Sequence, residues 1–208
     1  LENTASKLES KRTSGVSQTS KTSHDKATKF FVPYKPAEVL LPSSRKIKDG
    51  TPSVYKLPMF TRMRRQNSMI AKQSIGKPPK RVKGGPSEKV LMVVGATGAG
   101  KSTLINGMVN YILGVEWKDN FRFKLILEDK SVSQAYSQTK DITAYTIYPQ
   151  KGSAIPYTFT IVDTPGFGDT EGLKRDRLII SQIKEFFSIP PPNGIDHLDA
   201  VGFVTQAS

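Results

Sequence analysis

An α/β domain with a mostly parallel sheet and flanking helices is what the second half of this 208-residue sequence predicts. Three stretches carry the prediction. KVLMVVG, Lys89 to Gly95, is a continuous apolar and β-branched run, as in a strand buried on both faces. GATGAGKST, Gly95 to Thr103, is a glycine-rich turn that opens directly into a helical pattern. DITAYTIYPQ and PYTFTIVD then supply two runs rich in Thr, Tyr, Ile and Val, the composition of strands.

From the N-terminus, residues 1–88 read as a disordered, basic leader. The stretch KLESKRTSGVSQTSKTSHDKATK is Ser, Thr and Lys with almost no large apolar side chain, so it cannot offset its ordering entropy. Two apolar islands, Phe30-Phe31-Val32 and Val39-Leu40-Leu41, stand beside prolines and read as docking motifs or short strands. GKPPKRVKGGPS marks a boundary near Gly84 to Ser87. Charge divides at the same place. Up to Glu88 there are 19 Lys and Arg against 6 Asp and Glu, a net +13; from Lys89 to Ser208 the count is 12 against 12. No apolar run approaches the ~20 residues that span a bilayer, and no signal-peptide core opens the sequence. With no cysteine, disulfides and thiolate metal sites are excluded. A soluble, cytoplasmic fragment is the expectation.

Residues 89–208 read as the N-terminal part of the α/β domain. After the first strand and the glycine turn, Leu104, Ile105, Met108, Val109, Ile112 and Leu113 recur at helical spacing, and Gly114 is the stop. QKGSA separates the two Thr/Tyr-rich runs, which predicts an antiparallel hairpin. Along its second strand Tyr157, Phe159 and Ile161 share one face, and Thr158, Thr160 and Val162 the other. EGLKRDRLIISQIKEFF places Leu173, Ile179, Ile180, Ile183, Phe186 and Phe187 along one side of a second helix, which IPPPNG ends. DAVGFV reads as a further buried strand, and the sequence stops just after it, so the predicted domain is truncated at its C-terminal end.

The glycine turn carries chemistry. G-x-x-x-x-G-K-S is met by Gly95, Gly100, Lys101 and Ser102, with Gly98 as an extra glycine. Glycines let the backbone curl so that successive N–H groups point inward, and the helix that follows adds its positive end. Such a loop, Gly95-Ala96-Thr97-Gly98-Ala99-Gly100-Lys101-Ser102-Thr103, cradles nucleotide phosphates. Lys101 then reaches the β and γ phosphates, and the Ser102 hydroxyl ligates Mg²⁺. By chance the pattern arises in about one chain of this length in a hundred. A P-loop NTPase is therefore expected.

DTPGFGDT, Asp163 to Thr170, narrows the class. It follows the strand YTFTIV, so Asp163 falls at a strand's C-terminal end, where open α/β sheets place their ligands. There its carboxylate can hold Mg²⁺ through water, and Gly166 can present a bare N–H to a γ-phosphate. A transporter-type ATPase usually sets an acidic residue directly after that Asp, whereas Thr164 follows here. GTPases also need a loop Thr that caps Mg²⁺ when the nucleotide is a triphosphate. In SVSQAYSQTKDIT the first choice is Thr139 and the reserve is Thr143, which the strand pattern already claims.

VVGATGAGKSTLIN together with DTPGFGDT resembles the septin, immunity-associated and chloroplast-import (Toc) branch of GTPases, and the S-x-T of SQTKD is similar to that branch's first switch. The likeness covers about Lys89 to Ser208. KPPKRVK, Lys77 to Lys83, stands where septins often carry a basic stretch. The resemblance implies GTP and GDP as ligands with Mg²⁺, and self-association through the GTPase domain across the nucleotide. The guanine-reading [N/T]-K-x-D motif is not in the sequence; Leu173-Lys174-Arg175-Asp176 has the wrong first residue and place. Guanine specificity thus rests on the resemblance.

In Ras-like enzymes the residue after the D-x-x-G glycine is a Gln that orients the attacking water. Here it is Phe167, and Arg175 and Arg177 read as solvated helix residues, not as an arginine finger. The expectation is a GTP-binding switch or assembly module that hydrolyses slowly alone, with Lys101 and Thr139 as its catalytic groups. Its rival is a scaffold that binds nucleotide without turnover and acts through its basic leader. An ATPase or kinase ranks third. For the leader itself, three readings stay open: a solvated tail, an anionic membrane surface at about 1 kcal/mol per clustered cation, or sequence-blind, salt-sensitive contact with nucleic acid; specific nucleic-acid recognition is not expected. RRQNS, Arg64 to Ser68, has the form of a basophilic kinase site.

Overall fold

Thirteen short elements follow one another in the structure, a computed structural model that describes residues 35–79, 87–127, 141–167 and 172–206. In chain order they are helix α1 (Pro36–Leu40), a 3₁₀ turn (Leu41–Ser43), strands β1 (Arg45–Lys48), β2 (Ser53–Lys56), β3 (Phe60–Arg65), β4 (Ile70–Ile75) and β5 (Glu88–Gly95), helix α2 (Lys101–Ile112), strands β6 (Phe121–Lys124), β7 (Ile142–Ile147) and β8 (Thr158–Asp163), helix α3 (Leu173–Ser188) and strand β9 (Ala200–Val204).

Six strands form the main sheet in the order β3-β4-β7-β8-β5-β9. The pairs β4/β7, β5/β8 and β5/β9 are parallel, and β3/β4 and β7/β8 antiparallel, so the sheet is mostly parallel as expected. The β7/β8 hairpin forms where the Thr/Tyr-rich runs placed it, with Thr143 opposite Asp163 and Tyr145 opposite Ile161. Both sheet faces are covered. Ile161 of β8 joins a cluster with Val93 and with Ile105, Val109 and Ile112 of α2. Its neighbour Val162 points the other way, into a cluster with Val90, Ala144 and Phe186 of α3. Burying one such side chain stabilises by about 1.5–3 kcal/mol, so the two-sided strands are what hold the layers together.

Helix α2 ends as its sequence requires. Gly114 sits at φ +77°, its N–H bonds to Tyr111 O at 3.0 Å, and Val115 N–H bonds to Asn110 O at 2.9 Å. This paired closure needs a left-handed residue, which glycine supplies without strain.

The structure corrects the expectation of a disordered leader for residues 35–79, which fold. β4 is inserted as an inner strand of the main sheet, pairing with β3 and β7, with Ile70 and Ile75 each 1% exposed. β2 pairs in parallel with β6 and antiparallel with β1 to form a second, three-stranded sheet. Val39 and Leu40, expected as a docking island or strand, lie in α1, and Leu41 in the turn after it. Ala37 and Leu57 of this segment, with Phe121 and Phe123 of β6, belong to the same apolar cluster as α2. Its dispersed apolar residues gain their burial from partners that lie later in the chain, in β5, α2, β6 and β7, a signal that local composition cannot carry. The Phe30 island and, of the boundary near Gly84 to Ser87, residues 84–86 lie outside the described residues.

Two further expectations change. α3 buries Ile179, Gln182 and Phe186, while Leu173 is 76% and Ile180 47% exposed, so the apolar stripe is narrower than the sequence implied. β9 was expected buried, but it is the edge of the sheet, with Val201 53% and Phe203 74% exposed.

Candidate functional site

The C-terminal ends of β5 and β8 lie side by side because Val93 pairs with Asp163 in parallel register. Each strand therefore delivers its following loop to the same edge of the sheet: Gly95–Gly100 after β5, and Thr164–Phe167 after β8. The two loops touch. Phe167 N–H bonds to Gly95 O at 3.2 Å, and Ala96 and Phe167 form a parallel bridge. Gly166 lies so close to Thr97 that a Cβ there would stand 2.7 Å from both the Thr97 Cα and N. Only glycine permits that approach. Thr164 completes the junction: fully buried, it donates its hydroxyl to Val93 O at 2.9 Å.

Within the first loop, Gly98 (φ +76°) and Gly100 (φ +98°) take the left-handed conformation. They turn the chain so that α2 starts at Lys101, with Ala99 N–H closing on Ala96 O at 3.2 Å. Gly100 caps α2 with no side-chain hydrogen bond, and its first turn holds no acidic residue. The helix thus presents its opening N–H groups and positive end to the loop without a side chain competing for them.

Lys101 folds back across this loop. Its Nζ donates to Gly95 O and Ala96 O, both at 2.9 Å, and the residue is 8% exposed. Burial pushes its pKa down, and the charge of Asp163 works against that shift. Asp163 itself is 1% exposed. Tyr145 on the neighbouring strand has its pKa raised, first by burial and then by the Asp163 charge.

The sequence-predicted residues therefore gather in one place. Gly95, Ala96, Thr97, Gly98, Ala99, Gly100, Lys101, Ser102 and Thr103 form the loop and the first turn of α2, with Asp163 at the end of β8 and Gly166 in the loop after it. Thr139 lies outside the described residues. Its reserve, Thr143, is a buried residue of β7 opposite Asp163. Arg177 is exposed as expected, but Arg175 is half-buried, which corrects its reading as a solvated residue.

Two residues escaped the sequence reading. Asn106 accepts hydrogen bonds from Leu125 N (2.7 Å) and Ile126 N (3.0 Å) and donates to Ile126 O at 3.0 Å. Asn110, one turn on, accepts from Phe123 N at 2.9 Å and donates to Phe123 O at 2.8 Å. Both side chains replace a missing strand partner along β6 and its extension. The available signal was two Asn four apart on an otherwise apolar helix stripe.

The donor set also suits a nucleotide with its metal. Thr97 Oγ1 is buried with no hydrogen-bond partner and lies against Gly166, an acceptor or donor position awaiting use. Among the described residues no group of three or more His, Asp or Glu could hold a metal ion alone. Mg²⁺ in phosphate-loop proteins takes one or two protein ligands and fills the rest from phosphates and water, which Ser102 and Asp163 match.

A strand–glycine loop–helix joined to a second strand–Asp loop defines a P-loop nucleotide-binding domain of the GTPase class. Comparison with known proteins gives the branch. The family model described as Septin matches residues 87–188. Protein peanut of Drosophila melanogaster is 40% identical over 82 residues, covering 39% of this chain and 13% of that protein. Septin-5 of Homo sapiens is 41% identical over 80 residues, covering 38% of this chain and 18% of that protein. The matched segment, just under half of this chain, is thus similar to the septin branch of GTPases, and the aligned stretches span less than a fifth of the length of these relatives.

Proposed function

We propose that this domain binds GTP and GDP together with Mg²⁺ and serves as a nucleotide-controlled switch or assembly module that hydrolyses GTP slowly on its own. The contact between Thr97 and Gly166 is the observation that carries it, because it joins the phosphate loop to the loop that would report the γ-phosphate. Lys101 exchanges its two carbonyl partners for β and γ phosphate oxygens, and the uncapped N–H groups of α2 take the remaining charge. Ser102 and Asp163 would hold Mg²⁺, with Thr139 added in the triphosphate state; the ion neutralises phosphate charge. Gly166 N–H would reach the γ-phosphate.

Phe167 supports the slow rate. It has no group to orient water, and its backbone N–H is committed to Gly95 O. A second copy, paired across the nucleotide, is proposed to supply the missing group, an effect worth about 10³–10⁵ in rate. Calorimetric titration with Mg²⁺ tests the class: GTP and GDP should bind and ATP should bind far more weakly, whereas preferred binding of ATP would refute it. Turnover per chain should rise with protein concentration; a rate independent of dilution would remove the second copy from the account. Binding without turnover at any concentration would instead leave a nucleotide-binding scaffold.

A second surface supports an anionic partner. Residues 35–79 carry ten Lys and Arg against two Asp and Glu. Six of these cations lie on exposed β1 (RKIK) and β3 (FTRMRR), in two different sheets, and Lys46, Arg64 and Arg65 among them are paired with acids of the chain. A cytoplasmic setting at anionic membrane surfaces is proposed for it. No helix among the described residues is long and apolar enough to cross a membrane. Vesicles containing anionic lipid should co-float with the protein at low salt and lose it at high salt. Co-flotation unaffected by salt and lipid charge would overturn this surface role.

A further inference from the structure

The turn between β3 and β4 carries chemistry that the nucleotide site does not use. Residues Gln66 to Met69 form it, closed by Met69 N–H on Gln66 O at 3.2 Å, and Gln66 and Asn67 are exposed. At its tip Ser68 donates its hydroxyl to Glu185 Oε1 of α3 at 2.5 Å. Arg65 Nη1 reaches the same oxygen at 3.3 Å. Arg64 pairs with Asp141, just before β7, at 3.2 Å. Together Arg64 to Ser68 and Glu185 line an open cavity of about 530 Å³. The turn therefore clasps α3 with one hand and the entrance of β7 with the other.

We propose that Ser68 is a phosphoacceptor site for a basophilic Ser/Thr protein kinase, and that phosphate there releases the β3–β4 turn from Glu185 of α3. Arg65 stands three residues before Ser68 and Arg64 four, the spacing such a kinase reads as side-chain charge. β3 is an edge strand, so the turn can open to a kinase without breaking the interior pairings. The kinase transfers the γ-phosphoryl group of its own ATP to Ser68 Oγ; the Oγ–H proton passes to the kinase base, a P–Oγ bond forms and ADP leaves. The product carries about two negative charges directly against the Glu185 carboxylate, which repels it. The Arg65 guanidinium, now shared with Glu185, pairs better with the phosphate's three oxygens. The cavity beside the turn has room for the group.

The test treats the folded 208-residue chain with ATP, Mg²⁺ and a purified kinase selective for Arg three residues before Ser, then maps phosphate by mass spectrometry. Ser68 should be labelled. Ser68→Ala should lose that label, and Arg65→Ala should slow it by about tenfold or more, the worth of one charge-assisted contact. Amide exchange in α3 around Glu185 should then accelerate at least about tenfold in the phosphorylated chain. Glu185→Gln, which keeps the shape but removes the repelling charge, should show much less acceleration on phosphorylation. Label confined to other serines, label that appears only after unfolding, or α3 exchange unchanged by stoichiometric phosphate at Ser68 would each overturn the proposal. None of these outcomes depends on whether GTP binds.

Discussion

Lys101 sits in the interior with its ammonium turned on two loop carbonyls, and burial makes its charged form less favourable than in water. A polyphosphate entering the loop would give that charge a full counter-ion. Lys101→Ala should therefore keep the fold while weakening Mg·GTP binding by about tenfold to a hundredfold, the worth of one or two charge-assisted hydrogen bonds; calorimetry of the variant checks it, and unchanged affinity would exclude Lys101 from the cradle. Gly166→Ala tests the neighbouring contact. Its methyl would meet the Thr97 backbone 2.7 Å away, an overpacking that costs about 1–3 kcal/mol and parts the two loops. Urea unfolding should show the loss of stability, with nucleotide affinity falling alongside; a variant as stable and as tight as the parent would contradict the close approach. At this scale the sequence was most legible where residue type is forced by backbone geometry or charge. Gly98, Gly100, Lys101 and Asp163 fall where the motif spacing put them. Thr164 and the backbone of Phe167 were not legible, because their contacts depend on register between strands rather than on spacing along one.

Among the elements, α2 links the cradle to both sheets. Its N-terminus forms the cradle, its apolar stripe packs under β5 and β8, and Asn106 and Asn110 hold β6 by its backbone. Asn106→Ala and Asn110→Ala should each destabilise by about 1–3 kcal/mol, because peptide groups of β6 at Phe123 and of the segment after it at Leu125 and Ile126 lose partners away from water. The double variant should cost less than the sum, since both act on one strand. Denaturant midpoints of the four chains measure this, and strict additivity with small single effects would show that the side chains are not structural latches. Helical spacing predicted α2 and its glycine stop, and strand-type composition around QKGSA predicted the β7/β8 hairpin. It over-read α3: Leu173 and Ile180 are apolar yet exposed, because periodicity records which residues could face a core and not how wide that core is. β9 was misread for a related reason, since an apolar run looks the same at an edge as in the middle of a sheet.

Over the whole molecule, the largest departure from sequence expectation is the folding of residues 35–79. Their apolar residues are too scattered to build a core alone, and they become buried only by joining β7, β6 and α2, elements that come much later in the chain. Far from the cradle, a charged network pins the β9 end of the sheet. Asp199 takes Val90 N–H at 2.7 Å and pairs with Lys89 at 2.7 Å, while His197 contacts Asp196 at 2.7 Å and Asp199 at 3.5 Å. The hydrogen bond with Asp196 holds the His197 pKa above its ordinary value against burial, the next largest effect, with contact to the Glu88 carbonyl and the Asp196 and Asp199 charges adding to the rise. A raised folded-state pKa favours the protonated form in the fold. The stability it adds is complete below about pH 6.5 and is lost as pH rises through the raised value. Since His197 is 44% exposed, solvent screens the effect and keeps it small. His197→Gln should flatten the change in urea midpoint between about pH 5.5 and about pH 8.5, whereas an unaltered pH slope would place that titration elsewhere.

The loops after β5 and β8 meet at one edge of the sheet, and everything proposed for nucleotide depends on their acting together. Amide exchange followed by mass spectrometry, with and without Mg·GTP, reads both at once. Protection should rise together in peptides covering Gly95 to Thr103 and Asp163 to Phe167, with Mg·GDP protecting the second less. Protection of the first stretch alone by both nucleotides, or of neither by any purine triphosphate, would contradict the account.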